Sequence, residues 1–178
     1  MNTRHLLLWA SLALTMPLAA QTPQEDFKRD ITLSGSNYVA YRGPQKQLTP
    51  APKGYKPFYL SHYGRHGSRY MIGKQAYDVP YFSLLKAKQK GKLTAKGEET
   101  LEKVKMIREE ARGRDGELTP LGALQHQGIT RRMMERFPEI FAGNTNIEAR
   151  STTVIRCILS MENGLQQMLR MNPKLHIF

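Results

Sequence analysis

The feature that most limits the possible folds is an alternation of short apolar stretches with longer segments of helical periodicity. Three short strands are predicted from apolar or aromatic stretches, at 56–63, 145–152 and 174–178. Four helices are predicted from apolar side chains at helical spacing, at 78–90, 94–113, 118–138 and 152–171. This order is typical of an α/β fold, a layered sheet with flanking helices. Because the last apolar stretch reads as the beginning of a strand, we expect the sheet to be incomplete at the C-terminus.

The helix at 118–138 carries the clearest end signals. Thr119 can cap its first turn, Pro120 suits the first helical position and Pro138 marks its end. The spacing of its apolar residues predicts which side faces the core, formed by Leu121, Leu124, Ile129, Met133 and Phe137.

Residues 1–20 have the layout of a secretory signal peptide. Arg4 precedes an apolar run that ends at Leu14, and small residues stand before Gln21. A membrane anchor is the alternative interpretation, but the apolar run is short for a membrane span. We therefore expect an exported, periplasmic or secreted protein with no stable membrane span after signal cleavage. The following residues, 21–55, are rich in Pro, Gly, Gln and Ser and predict an irregular N-terminal arm.

The charge distribution narrows the class of partner. The chain has 27 Lys and Arg against 15 Asp and Glu, a formal net charge of +12, and no acidic residue occurs from Ile31 to Tyr77. Such a balance favours anionic partners: nucleic acid, an anionic membrane surface or a phosphorylated small molecule. No nucleic-acid-binding motif is present and export argues against that class, so we expect no nucleic-acid partner. Cys157 is the single cysteine, which excludes an internal disulfide.

Residues 65–69, "RHGSR", follow the first predicted strand and have the chemistry of a phosphoryl-transfer site. A neutral imidazole nitrogen of His66 is a competent nucleophile toward phosphorus. The planar guanidinium groups of Arg65 and Arg69 match phosphate oxygens and can compensate charge during transfer. Gly67 lets the backbone approach a ligand closely.

A second candidate segment is "RSTTVIRCILS" at 150–160, where Arg156 falls in the first turn of a predicted helix. The helix dipole opposes a cation at this position, by roughly 0.3–1 kcal/mol, and a bound anion would offset that cost. Taken alone, this feature favours an ordinary exposed arginine over an anion-binding one.

Three segments together resemble a known family. "RHGSR" (65–69), "LTPLGALQHQG" (118–128) and "RSTTVIRCILS" (150–160) occur in the order and approximate spacing of the histidine acid phosphatases, the larger branch of the histidine phosphatase superfamily. The form of the motifs is most similar to the multiple inositol polyphosphate phosphatases. The resemblance implies a phosphoglycerate-mutase-like α/β fold, with residues 56–178 as the N-terminal portion of the domain.

The resemblance also implies a function. A member of this family is a phosphomonoester hydrolase that works through a phosphohistidine, and here the implied substrate is a phytate-like inositol polyphosphate. A broad-specificity acid phosphatase is one alternative, and a phosphate-binding protein without turnover is another. His66 would be the nucleophile, and Arg65, Arg69 and Arg156 would hold the phosphate. Arg150 would have a secondary role in substrate binding.

The remaining histidines offer no proton donor. The family supplies its general acid from a His-Asp or His-Ala-Glu element, and none of the five histidines has such a sequence after it. Glu162 is the only acidic residue after Arg156, so the proton donor is unknown. We expect His62 to be structural and His126 to be a packing or surface residue. The histidines also lack ligand spacing with acids or cysteine, so no metal or other cofactor is predicted.

Overall fold

The computed structural model describes most of the chain. The described residues are 22–44, 46–47 and 49–178. The predicted signal peptide therefore lies outside the described residues. By its internal contacts the chain divides into two compact units, Met1–Ala40 and Tyr41–Phe178. Among the described residues, no helix is long and apolar enough to cross a membrane.

The described part of the first unit is helical. It contains helix α1, Pro23–Arg29, followed by a 3₁₀ helix, Ile31–Tyr38. A proline opens α1, and the backbone N–H of Thr22 donates to the Glu25 carboxylate at 3.4 Å. The expectation of an irregular arm is wrong for this stretch, because local capping chemistry outweighs its Pro- and Gly-rich composition.

The second unit contains the elements that position the candidate site. In chain order they are α2 (Gln75–Gln89), α3 (Ala95–Glu110), α4 (Pro120–Arg136), β1 (Asn146–Ile147), α5 (Ile155–Met171) and β2 (His176–Ile177). All four predicted helices are confirmed, with ends that differ by a few residues. Thr94 and Thr119 cap α3 and α4, each by accepting a backbone N–H three residues later, at 3.2 and 3.1 Å.

The sheet of the second unit is smaller than predicted. Strands β1 and β2 pair in parallel, with Asn146 opposite His176 and Ile147 opposite Ile177. Residues 56–63, predicted as a strand, form none. Phe58 is 96% exposed, although the sequence suggested a buried strand. A strand exists only through its hydrogen-bonded neighbours, and an apolar composition does not supply them. The architecture is thus mixed helical with two parallel strands, which is consistent with an α/β fold.

The core lies where α4 and α5 meet the small sheet. Met134, Phe141 and Leu175 are its buried centre. Partly buried apolar residues pack around this centre: Leu60, Met133, Phe137, Ile140, Ile147, Met168 and Ile177. The core therefore joins the loop before the candidate site to both helices that support the site.

The predicted core face of α4 is correct only toward its C-terminal end. Leu121 and Leu124 are exposed, whereas Gly122, Thr130 and Met134 are buried. Gly122 is buried against the backbone of Ser68, and Thr130 is buried against α5, where a methyl group added at Gly164 would lie 3.0 Å from the Thr130 hydroxyl oxygen. Small residues allow these close contacts and take the buried positions that apolar periodicity assigns to leucines.

Candidate functional site

The ring of His66 is oriented by its own chain. Its Nδ1 lies 2.9 Å from the carbonyl oxygen of Gly67. Because a carbonyl oxygen can only accept, Nδ1 carries the proton of this hydrogen bond. In the neutral ring, Nε2 then keeps its lone pair, which is the atom a phosphoryl-accepting histidine needs.

The backbone just after His66 is fixed by side chains from α4 and α5. The N–H of Gly67 donates to Ser160 Oγ at 3.1 Å, and that hydroxyl donates to the Arg156 carbonyl at 2.7 Å. The N–H of Ser68 donates to Gln125 Oε1 at 2.8 Å. Thr119 donates to the Ser68 carbonyl through both its backbone N–H and its hydroxyl, each at 2.9 Å. The loop that carries His66, residues 65–69, is thus held on two helices.

Two glycines allow this loop to lie directly on α4. A methyl group added at Gly67 would lie 2.4 Å from the Gly122 carbonyl oxygen. One added at Gly122 would lie 2.2 Å from the Ser68 carbonyl oxygen. Gly67 was interpreted as making room for a ligand, but the close contact that requires it is with the first turn of α4. A side chain at either position would displace the loop that carries His66.

Arg69 and Arg156 lie against the same short ladder. Arg69 forms an antiparallel bridge with Leu118, and the Gly116 N–H donates to the Met71 carbonyl at 2.9 Å. A methyl group added at Gly116 would lie 3.3 Å from Arg156 Nη1, so the Arg156 guanidinium lies beside this ladder. The backbone pairing of 69–71 with 116–118 therefore has Arg69 in one strand of the pair and the Arg156 guanidinium beside the other, although these arginines are 87 positions apart in the sequence.

Three buried donors around this ladder have no hydrogen-bond partner within the described part of the chain. They are Arg69 Nε, Arg156 Nε and Gln125 Nε2. Unpaired buried donors are rare, and a guanidinium is especially costly to bury without an acceptor. Phosphate supplies several anionic acceptor oxygens that match guanidinium geometry. The donor set therefore fits a phosphate-like anion.

The other two predicted arginines are placed differently. Arg65 is exposed, and its backbone carbonyl faces α4. Arg150 is exposed and forms an ion pair with Glu148, so the structure does not bring its side chain to the site. Of the four arginines selected from the sequence, Arg69 and Arg156 are the two with buried guanidinium nitrogens.

His126 contacts the backbone beside His66. The sequence predicts a packing or surface residue, and packing agrees with the structure, where His126 is half-buried and its Nε2 lies 3.1 Å from the Arg65 carbonyl oxygen. Its partner, Arg65, was not predicted. Burial lowers the pKa of His126; the bond to the Arg65 carbonyl opposes this, and the nearby charges of His62 and His66 lower it further. His62 itself is exposed in a stretch that forms no strand, which does not fit the structural role expected for it.

A spacing signal in α4 could have identified these contacts. Thr119, Gly122 and Gln125 follow one another at intervals of three, and His126 is four residues after Gly122. Residues three and four apart share one face of a helix. The face that contacts the loop was therefore visible as a polar and small-residue stripe beside the apolar one. No group of three His, Cys, Asp or Glu that could hold a metal ion occurs in the described ranges.

Comparison with solved structures supports a histidine-phosphatase-like fold. The chain is similar to a multiple inositol polyphosphate phosphatase from Bifidobacterium longum, whose crystal structure is a complex with inositol hexasulfate. The TM-score is 0.55 and the sequence identity 25%, over 76% of this chain and 29% of that chain. This chain therefore matches less than a third of that protein. No protein-family model and no curated protein matches the sequence.

Proposed function

We propose that this chain carries the nucleophile and phosphate-binding part of a phosphomonoester hydrolase that acts through a phosphohistidine. The observation that supports this most directly is the geometry of His66. Its Nδ1 is committed to the Gly67 carbonyl, so the lone pair of Nε2 is available. Arg69 lies three residues after His66, Arg156 lies beside Gly116, and the Nε of each is buried without a partner among the described residues.

The proposed reaction has two steps. In the first, the lone pair of His66 Nε2 forms a bond to phosphorus as the bond to the ester oxygen breaks, and the leaving oxygen takes a proton. In the second, water attacks the phosphohistidine, releasing inorganic phosphate and restoring the imidazole. In this proposal Arg69 and Arg156 stabilise the transferring group by donating to its oxygens, while Arg69 Nη1 is held by the Tyr70 carbonyl at 2.8 Å. Arg65 is a proposed phosphate contact on the basis of its place in the motif.

The leaving oxygen requires a general acid, which typically contributes 10²–10⁴-fold in rate. No histidine of the chain is followed by Asp or by Ala-Glu, and Glu162 is half-buried on α5. A second candidate is compatible with this observation, a phosphate-binding protein in which substrate binds without turnover.

An inositol polyphosphate such as phytate is the proposed substrate class. A substrate with several phosphates suits a chain of net charge +12. The sequence from 31 to 77, which includes the loop, has no acidic residue. The similar Bifidobacterium protein is named for inositol polyphosphates. A broad-specificity acid phosphatase is the alternative, and it would hydrolyse a simple aryl phosphate about as well as phytate.

The test of the nucleophile is to trap the phosphoenzyme. The chain is mixed with phytate labelled on phosphorus, quenched in alkali because phosphohistidine is acid-labile, and mapped by mass spectrometry. We expect the label on His66 and its loss in His66→Ala. His176→Ala is the matched control, because His176 is exposed on β2 and bonds to Asn146. Label that persists in His66→Ala would rule out His66 as the phosphate acceptor.

A second measurement separates the candidate functions. Release of inorganic phosphate is followed with phytate and with an aryl phosphate, beside calorimetric binding of both compounds. Turnover that favours phytate supports the inositol polyphosphate assignment, and equal turnover supports a broad acid phosphatase. Phytate binding that depends on Arg156, with no phosphate release and no label, supports binding alone.

A further inference from the structure

His126 and His66 use opposite ring nitrogens as donors. His66 donates from Nδ1 to the Gly67 carbonyl, whereas His126 donates from Nε2 to the Arg65 carbonyl, at 3.1 Å. The acceptor in each case is a backbone carbonyl, which fixes the tautomer of the neutral ring. His126 is half-buried on α4, so its side chain has a defined surrounding and is not a freely rotating surface group.

The carbonyl group that accepts the hydrogen bond of His126 lies directly before His66 in the chain. The Arg65 carbonyl belongs to the peptide bond that joins Arg65 to His66. The backbone after His66 is anchored through Gly67 N–H, Ser68 N–H and the Ser68 carbonyl. His126 adds an anchor on the preceding side. With both sides held, the backbone at His66 has little freedom to rotate, and its ring stays over the Gly67 carbonyl.

We propose that His126 is a positioning residue for His66, acting by holding the Arg65–His66 peptide so that His66 keeps its proton on Nδ1. The proposal rests on the proposed function only in giving His66 the role of nucleophile. When the anchor is lost, the peptide rotates, the bond to the Gly67 carbonyl opens part of the time, and the neutral ring of His66 samples both tautomers. Nε2 then presents its lone pair for a smaller fraction of the time.

The test is imidazole NMR on the full 178-residue chain, at mildly alkaline pH where histidine side chains are neutral. Carbon and nitrogen chemical shifts of the ring distinguish the two tautomers. We expect wild-type His66 to be the Nδ1–H form and wild-type His126 the Nε2–H form. His126→Leu should shift His66 to a mixture, and His126→Gln, whose amide can reach the same carbonyl, should restore the wild-type tautomer.

The matched control is Gln127→Leu. Gln127 is the neighbouring half-buried residue of α4 and donates to Asn163 at 2.9 Å on α5, so this variant loses one interhelical hydrogen bond without touching the loop. A merely structural role for His126 predicts lower stability in both leucine variants and an unchanged His66 tautomer in both. That result would overturn the proposal.

The wild-type spectrum tests the proposed hydrogen bond from His126 even where a variant fails to fold. If His126 carries its proton on Nδ1, its Nε2 cannot donate to Arg65, and the proposal is wrong. The readout requires no turnover, so it is separate from the proposed function. The expected tautomers together with absent phosphoenzyme would keep the positioning role and reject the phosphatase.

Discussion

Arg69, Arg150 and Arg156 carry the same charge but lie in different surroundings. Arg69 and Arg156 each have a buried nitrogen without a partner among the described residues, while Arg150 is exposed in an ion pair with Glu148. Exposed ion pairs contribute little to stability. The Arg150 guanidinium already has an anionic partner in Glu148, so it does not require a ligand. At the scale of single residues, burial therefore separates Arg69 and Arg156 from Arg150, to which the resemblance gives only a secondary role.

This difference predicts unequal effects on anion binding. Arg156→Gln should weaken phytate binding by roughly 10- to 100-fold, since a charge-assisted hydrogen bond contributes about 1.5–3 kcal/mol. Arg150→Gln should leave the affinity nearly unchanged. Isothermal titration calorimetry of the two variants at the same salt concentration measures the difference. Equal losses in both would mean that phytate responds to overall charge and that the buried donor set does not bind it.

A second residue-scale prediction concerns acid stability. The pKa of His126 is lowered in the folded chain, chiefly by burial, from the ordinary value of about 6.5. The unfolded chain therefore binds this proton more readily, and the stability that neutral His126 contributes is lost as the pH falls below about 6.5. Urea midpoints at neutral and mildly acidic pH should fall more in wild type than in His126→Gln. Identical falls would show that His126 does not titrate differently in the fold.

At the scale of elements, the helices were more predictable than the strands: the stretches 145–152 and 174–178 contain the two observed strands, each two residues long, and 56–63 forms none. Helix ends depend on local signals such as Thr94 and Thr119, and both caps were readable from the sequence. The strand expected at 56–63 depends on partners elsewhere in the chain, which local composition does not reveal. The same limit applies to the site. The proposed nucleophile and phosphate-binding arginines were selected by their chemistry, but Ser160 and Gln125 contact the loop across 93 and 57 positions, which the sequence does not reveal.

The contact between the loop and α4 predicts opposite effects for two glycines of one helix. Gly122→Ala forces a methyl group to 2.2 Å from the Ser68 carbonyl and should destabilise the fold by roughly 1–3 kcal/mol or more. Gly128→Ala meets only the tip of the Arg132 side chain, at 3.3 Å, and should stabilise by about 0.5–1 kcal/mol through helix propensity. Urea unfolding of both variants provides the comparison. A tolerated Gly122→Ala would contradict the close packing.

At the scale of the whole molecule, the distribution of charge is more informative than its total. The formal net charge is +12, yet the acidic residues are absent from 31–77, the stretch that leads into and includes the loop. Helix α3, in contrast, mixes both signs, with ion pairs such as Lys103 with Glu99 at 2.5 Å. We therefore expect a polyanion to meet a more positive field along 31–77 than on α3.

This asymmetry can be tested with two double variants of equal net charge. Lys53→Glu with Lys56→Glu reverses charge on the exposed segment before the loop, and Lys92→Glu with Lys105→Glu reverses it on the exposed lysines of the α3 region. Because electrostatic steering depends on the local field, the first pair should slow phytate association severalfold more than the second, and the difference should shrink as salt screens the charges. Stopped-flow association rates at low and high salt measure both effects. If the two double variants slow association equally at low salt, the association rate depends on the total charge of the chain. The acid-free stretch then steers phytate no more than any other lysines of the same number.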